Sequence, residues 1–569
     1  MKKATFLSKK YYSMLLGGTL TAVLTSAVAM SDMMIAGAFI GEVAVTGVNL
    51  VLPIYSVANF FVWMFSIGVP IIYSNAIGAF QKEEADRIFG TGILMSVITG
   101  IILFLVLVFG GDFFLEHLHP GEEAMFHAKE YLFWIKYAIL FLTLNSLMSG
   151  MVFADGGERI STVSNLAEGV GNVVLSMLLC RVMGTRGIGL GTFISTVLCL
   201  VLLIPHFLSP RNTLRLNFDF SFPVVREIVR FGIVDASNYL FMGLFVLGMT
   251  HFVTGVFGPE ALILVTVATL IKEAQLLFDG TGEAITPIVE VYLGEETYPG
   301  IRKVWNLALK TTFYESAILT LVILAAAPSI IRLLGIESAE FFDISVLGLR
   351  MMAVTLFFTC RMYLDSSYYI LVDKIPLGIL VCAFRDVLFP LPMAVLGGMA
   401  GGTVGMFAGL MIAPVLAYYC SVLYVSLRYG KKNYVLFLAD KDESKSWLYE
   451  FEVVPEQIVM LRDEIGEKLR KCGYSAGTVN RTMLLFEELF MLIYDHNPGR
   501  KVLAECSVEL GDKVRLIAKD DGNMLDLTDT DLEVSSLRSY IVSTLVGNLT
   551  EKRVRFVALS FNRNALEIK

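Results

Sequence analysis

From Tyr11 to about Leu427 the chain is a succession of long apolar stretches separated by short polar loops. A helix needs about 20 consecutive apolar residues to cross the hydrocarbon core of a bilayer. The pattern supplies stretches for twelve crossings, at 12–36, 43–75, 88–110, 128–153, 161–180, 187–208, 227–255, 260–290, 304–328, 344–371, 376–397 and 402–427. It predicts an α-helical polytopic membrane protein. After Tyr429 the pattern changes. A charged linker, KKNYVLFLADKDESKSW, leads into a small soluble α/β domain, with a strand at FEVV and amphipathic helices over 456–471 and 478–496. The strands KVLAECSVEL and KVRLIAKDDG follow, joined by Gly511-Asp512, a hairpin signal. A helix over 536–545 and a last strand, VRFVALSF, complete it; about 120 residues suffice for one small core.

Charge fixes the orientation. With the N-terminus inside, the inside loops carry Lys82, Arg87, Arg159, Arg211, Arg215, Arg226, Arg230, Arg302, Lys303 and Lys374, and the last stretch exits at Arg428, Lys431 and Lys432. The outside loops carry only Lys129, Arg181, Arg186 and Arg332. This bias follows the positive-inside rule and places both termini in the cytoplasm of a plasma membrane. The basic opening MKKATFLSKKYY reads as a retained signal anchor, because further spans follow at once and no small-residue cleavage site follows a short apolar core.

Composition excludes other classes. Of 569 residues 55% are hydrophobic and 17% charged, at a mean hydropathy of +0.67, far more apolar surface than a soluble chain uses. The seven cysteines show neither CxxC pairs nor zinc spacing, and the six histidines are scattered, so neither a disulfide framework nor a metal site is expected. No nucleic-acid partner is expected either.

The membrane part looks duplicated. AFQKEEADR at 79–87 recurs as VYLGEETYP at 291–299, Asp155 has a counterpart in Asp373, and at that same offset Glu168 falls on Asp386. GIGLG at 187–191 and GGTVG at 401–405 open the sixth and twelfth stretches. The boundaries expected are a six-helix lobe over 1–220, a second over 221–429, a linker over 430–447 and the cytosolic domain over 448–569. An even repeat keeps the two lobes in the same orientation.

Ionisable groups inside apolar stretches are costly and mark function. Asp32, in AMSDMMIAG, can take up a proton or a sodium ion, and its charge can bias an open-or-closed equilibrium. The bland alternative places it, wet, at the outer interface. Further acids are Glu168, Asp235, Glu273, Asp279, Glu283, Asp365 and Asp386. Arg361 and Asp365 are four residues apart on one helix and can form a structural pair. The substrate-cavity candidates are Asn49, Asn238, Tyr239, Glu273 and Arg361.

These segments resemble the MATE family, the multidrug and toxic compound extrusion transporters. SDMMIAG resembles that family's first-span Asp-x-x-x-small-Gly motif, and SIGVPIIYSNAIGAF and GTGEAITPIVEVYLG resemble its Gly-rich ends of spans two and eight. FADGGER with GNVVLS resembles the fourth-to-fifth-span pattern, and MYLDSSYYI the acidic tenth span. The resemblance implies a two-lobed bundle and cation-coupled export of amphipathic or cationic molecules, with Asp32, Asp365 and Asp235 as ion-coupling candidates. In place of the glutamate that many members carry in span seven, this chain has FGIVDASNYLFM.

The C-terminal domain resembles the GHKL ATPase fold in its anti-sigma-kinase branch, through MLLFEELFMLIYDHN and AKDDGNMLD. That resemblance implies Glu488 as the base-like acid, Asp520 as the adenine reader and Gly522 as the first glycine of its box. The metal-ligating Asn is Leu492 and the second glycine is Met524, so ATP binding is expected to be weak or absent, with no ATPase activity. No catalytic residue is expected. The expected partners are membrane lipid, a small-molecule substrate and a regulatory protein bound by the C-terminal domain. Two alternatives remain open: a flippase for lipid-linked saccharides, using Lys136, Lys272, Arg361 or Arg385 toward a pyrophosphate, and a membrane sensor signalling through the tail.

Overall fold

A computed structural model describes residues 5–78, 81–118, 121–155, 157–209, 212, 214–217, 219–336, 339–438, 445–511, 513–523, 537–546, 554–556 and 561–568. Fifteen helices precede the C-terminal domain: α1 (Phe6–Phe39), α2 (Glu42–Leu50), α3 (Leu52–Gly78), α4 (Lys82–His117), α5 (Glu122–Ala154), α6 (Glu158–Met183), α7 (Thr185–Leu208), α8 (Phe222–Phe257), α9 (Leu262–Ala274), α10 (Asp279–Gly294), α11 (Tyr298–Leu333), α12 (Ala339–Ala353), α13 (Leu356–Leu371), α14 (Ile375–Ala383) and α15 (Pro390–Tyr429). Among the described residues eight helices are long and apolar enough to cross a membrane, or nine if the pair 341–353 and 356–371, bent by 49°, counts as one span. The predicted eighth stretch is broken into α9 and α10 by a 3-10 turn over Gln275–Phe278, next to its Gly- and Pro-rich segment.

The chain forms two compact units. The first comprises 20–279 and 312–425. Its outer helices present apolar residues outward: on α6, Val163, Leu166, Val170, Val174 and Leu178 recur at helical spacing and are exposed. In water this stripe would be a liability; in a bilayer it is the solvent-matched face.

Within this unit the two glycine boxes do the same work. Gly184 connects α6 to α7 with φ 61° and ψ −144°. Gly402, which is 218 residues further on (184 to 402), divides α15 with φ 62° and ψ −149°. A positive φ of this kind is open to glycine and strained for other residues. Gly187 packs on the Leu179 carbonyl, and Gly405 on the Gly397 carbonyl, each again 218 residues on. Two helical hairpins of one geometry thus stand at the offset that relates Asp155 to Asp373.

Helices α3 and α8 cross where glycine meets backbone. A Cβ on Gly68 would strike the Ile228 carbonyl, and one on Gly232 the Met64 carbonyl. Small residues at such crossings let helix backbones approach closely.

The second unit comprises 1–19, 280–311 and 426–569. Its sheet has the order β1-β2-β3-β5-β4, with β1 (Ser446–Glu452), β2 (Leu503–Glu509), β3 (Arg515–Asp520), β4 (Val554–Phe556) and β5 (Phe561–Glu567), all antiparallel. Helices α16 (Pro455–Lys471), α17 (Ala476–Asp495) and α18 (Leu537–Leu545) complete the domain. The α16 pattern Ile458, Leu461, Ile465 and Leu469 buries one face, and Ser475 caps α17 by accepting from the Thr478 amide at 3.1 Å. Phe451, Phe486 and Phe490 cluster in the core with centroids 4.8 to 5.8 Å apart, Phe451 meeting Phe490 edge to face. Two strand expectations shift. β1 begins at Ser446 and ends as FEVV starts, and the second half of the last hairpin is the polar run FNRNALE.

The sheet is covered on both faces. Ala504, Cys506 and Val508 of β2 point into the helix-side core, yet Leu503, Glu505 and Ser507 between them are buried too. The register aligns Glu450, Glu505, Lys519 and Arg563 as one row across β1, β2, β3 and β5 on that second face. Burial raises the Glu505 carboxyl above its ordinary value, and the Lys519 ammonium opposes that rise.

The α3–α8 crossing yields a direct test. Gly232→Val is expected to destabilise the purified protein by about 1–3 kcal/mol, read as a lower melting temperature in detergent, whereas Gly255→Ala, where a Cβ meets nothing within 4 Å, leaves it unchanged.

Candidate functional site

The candidate site is a cavity of about 270 Å³ within the first unit, lined from α1, α2, α3, α5, α6, α7, α8 and α9. Asp32, Glu168 and Glu273 supply carboxylates, Asn49, Asn59 and Asn172 amides, and Tyr55, Trp63, Tyr131 and Tyr239 rings. No lysine or arginine is among its described lining residues. Trp63 and Tyr239 stack at 5.6 Å, placing an aromatic face beside the carboxylates. Electron-rich rings and carboxylates with no competing base suit a cation.

Asp32 lies in α1 and is half-buried, so it is not at an open, wet interface. Its Oδ2 accepts from Tyr131 Oη at 2.6 Å and from Thr192 Oγ1 at 3.3 Å. Asn172 Nδ2 donates to Thr192 Oγ1 at 2.9 Å, and Ser31 Oγ to Asn172 Oδ1 at 3.3 Å. The buried Asp32 Oδ1 has no hydrogen-bond partner among the described residues. A lone pair kept out of water with nothing to accept is a place for a proton or a cation. Glu168 accepts from Asn145 Nδ2 at 2.9 Å, which leaves further acceptor capacity toward the cavity.

The other expected residues divide. Asn49, Tyr239 and Glu273 line the cavity with Asp32. Asn49 Oδ1 is buried without a partner among the described residues. Arg361 does not line the cavity; it pairs with Asp365 at 2.9 Å, side chains 8% and 2% exposed, which is the structural reading of that spacing. Asn238 sits beside the cavity wall residue Tyr239 and accepts from Arg385 Nη2 at 3.0 Å. The Asp235 side chain lies outside the described residues. Tyr131, Thr192, Asn172 and Asn145 were not anticipated: the contacts that assemble them span 20 to 160 residues of sequence, and no local pattern marks them.

The buried bases are tied to acids. Asp386 meets Lys272 Nζ at 3.4 Å and Arg385 Nη2 at 2.6 Å, and the Arg385 guanidinium lies 3.4 Å from the Tyr363 ring centre. Lys136 stands over Phe133 and Tyr137 at 5.1 and 5.7 Å.

In the C-terminal domain the nucleotide candidates are engaged internally. Glu488 Oε2 accepts from Arg538 Nη1 at 2.9 Å, and Arg538 Nε also reaches Asp495 at 3.2 Å. Asp520 Oδ1 accepts from the Gly522 amide and from Asn562 Nδ2, both at 2.9 Å. A Cβ on Gly522 would lie 2.8 Å from Asn497 Nδ2, so this glycine serves a close contact inside the domain. Leu492 is buried in the domain core. Met524 lies outside the described residues.

Comparison with known proteins agrees with this geometry. The MatE family model matches residues 19–178. The multidrug export protein MepA of Staphylococcus saprophyticus is 23% identical over 251 residues, 43% of this chain and 55% of that protein. MepA of Staphylococcus haemolyticus is 23% identical over 303 residues, 52% of this chain and 66% of that protein. The chain thus aligns with about half the length of the first of these relatives. The inward-facing structure of a multidrug resistance MATE family transporter of the MOP superfamily superposes with a TM-score of 0.64 at 18% identity, covering 71% of this chain and 95% of that one. A MOP superfamily transporter from Pyrococcus furiosus, described as having a binding pocket of reverse polarity, superposes at 0.62 and 17% identity, covering 75% and 96%. The membrane part therefore has the helical fold of MATE transporters, and its first helices match the MatE model. The relatives named are transporters, not enzymes.

The Arg361–Asp365 pair can be tested for a structural role. Arg361→Met or Asp365→Leu alone leaves a buried charge unmatched, and each is expected to cost about 3–5 kcal/mol. The double variant is expected to recover most of that loss in thermal unfolding, with the non-additivity measuring the coupling.

Proposed function

We propose that the protein is a secondary active exporter of cationic or amphipathic small molecules, coupled to a proton or sodium gradient, in the plasma membrane. The observation that carries this reading is a cavity with three carboxylates, stacked aromatics and no described base. The MepA relatives, multidrug export proteins by name, support the export class. Asp32 is the coupling site: its unpartnered oxygen is where the ion binds, and the ion biases the equilibrium between the two access states. Asp365 is a structural partner of Arg361. The flippase alternative loses support because Lys272, Arg361 and Arg385 are each held by an acid.

Twelve crossings in two six-helix lobes, with both termini cytoplasmic, form part of this proposal. The segment Ile375–Tyr429 has 55 residues, about 80 Å of helix, more than twice a hydrocarbon core of about 30 Å, and Gly402 breaks it. That the start of α1 and the end of α10 both contact the C-terminal domain supports an even number of crossings between them.

Asp32→Asn is expected to leave folding and insertion intact and to reduce gradient-driven export by about a hundredfold or more, measured in proteoliposomes under an imposed proton or sodium gradient. Transport unchanged at equal protein content would remove Asp32 from the mechanism. We further propose that the C-terminal domain, GHKL-like in pattern, does not drive transport by hydrolysis. Calorimetry of the full-length protein with Mg-ATP is expected to give no micromolar binding; measurable hydrolysis would overturn that assignment.

A further inference from the structure

The second face of the sheet has an occupant within its own unit. Lys519 Nζ lies 2.6 Å from Glu295 Oε2 and 3.1 Å from Glu505 Oε1, with all three side chains 3% exposed or less. Arg563 Nε donates to Glu295 Oε1 at 2.7 Å, and Tyr292 Oη to Glu505 Oε2 at 2.6 Å. Thr297 Oγ1 and Ser507 Oγ are 3.2 Å apart, and the Lys519 ammonium stands 4.2 Å from the Tyr292 ring centre. Tyr292 ends α10, Glu295 and Thr297 form the turn after it, and α11 begins at Tyr298. The start of α1 joins the same sheet: Glu450 accepts from the Leu7 amide at 2.9 Å and from Lys303 at 3.2 Å, and Lys9 pairs with Asp521 at 2.7 Å. Tyr11 Oη donates to Thr311 Oγ1 at 2.9 Å, so α1 also meets α11 directly.

The charges on this face balance. Three carboxylates, Glu295, Glu450 and Glu505, meet three bases, Lys303, Lys519 and Arg563, each paired within the contact. Buried charge is tolerated only when paired in this way, and removing one member leaves the others stranded. In the matching loop of the first repeat Glu83 is exposed, Glu84 lies 3.4 Å from Arg87, and both acids line an open polar cavity within their own unit.

We infer that the C-terminal domain is a staple, fastening the start of α1 from the first repeat to the α10–α11 turn from the second through the Glu295–Lys519–Glu505 network and thereby restraining their separation. This rests on the transporter reading in one respect: alternating access is a rocking of one repeat against the other, and a link between ends drawn from both repeats opposes it. The partner that the charged sheet face fits is the same chain's acidic loop after α10.

The test uses the full-length chain with its native cysteines replaced. Tyr11→Cys with Thr311→Cys reports the meeting of α1 and α11 by the yield of cross-linking with a short bifunctional thiol reagent that spans the space left by the tyrosine ring, without any transport. Lys519→Met is expected to lower that yield by about tenfold; an unchanged yield would overturn the staple even in a protein that transports nothing. Thr297→Cys with Ser507→Cys locks the tail in place. Oxidation is expected to slow gradient-driven export by about tenfold, reductant to restore it, and Lys519→Met without the cysteines to transport at least as fast as the parent. Full-rate export by the locked protein, or failure of this pair to cross-link, would overturn the restraint. Export lost in the reduced parent as well would count against the transporter reading alone, and the Tyr11–Thr311 yield would still decide the staple.

Discussion

The cost of holding charge away from water organises this molecule. In the first unit nearly every apolar position faces hydrocarbon or packs against a helix, so an ionisable side chain persists only with a partner or with a task. Arg361, Lys272 and Arg385 have acidic partners within 3.4 Å. Asp32 has hydroxyl partners on one oxygen and, among the described residues, none on the other. That asymmetry separates the ion-paired groups from the one on which the proposed ion coupling rests.

The duplicated backbone carries two different electrostatic designs. Gly184 and Gly402 adopt the same backbone conformation, and the glycines that follow press against the same positions of the preceding helix. Between these matching hairpins the charged positions diverge. Asp155 is held by His206 at 2.8 Å, while its counterpart Asp373 is mostly exposed. Glu168 faces an amide and the cavity, while its counterpart Asp386 is clamped by two bases. At this second position one repeat keeps its acid available and the other neutralises it. An ion gradient acts through differential affinity between two states, and a site in one repeat alone is sufficient for that.

Much of the helical layout was legible because apolar length and glycine punctuation are local signals. The break inside the eighth stretch falls beside its Gly- and Pro-rich segment, and the Arg361–Asp365 pair follows from helical spacing alone. Asp32 stood out because a carboxylate in an apolar run is rare. Tyr131, Asn172 and Thr192 did not, because an amide or hydroxyl in a helix costs little and gains meaning only from partners far away in sequence. The tail hides its contacts in a different way. In KVLAECSVEL the alternation of apolar with Glu and Ser is the pattern of a sheet with one wet face, yet Glu505 and Ser507 are buried. Charge that is paired across an interface looks, in sequence, like charge that is solvated.

That ambiguity bears on what the C-terminal domain does. A nucleotide-hydrolysing domain needs carboxylates free to hold a metal and a glycine turn free to admit phosphate. Here Glu488 is bound by Arg538, Asp520 by Gly522 and Asn562, and the space beside Gly522 is taken by Asn497. The opposite face, which a free-standing domain would leave to water, is instead matched charge for charge to the loop after α10. Both surfaces have been committed to contacts within the chain. A domain so committed is suited to transmitting position between the ends of the helices it touches, and with its carboxylates and its glycine turn engaged it has little room left for nucleotide chemistry.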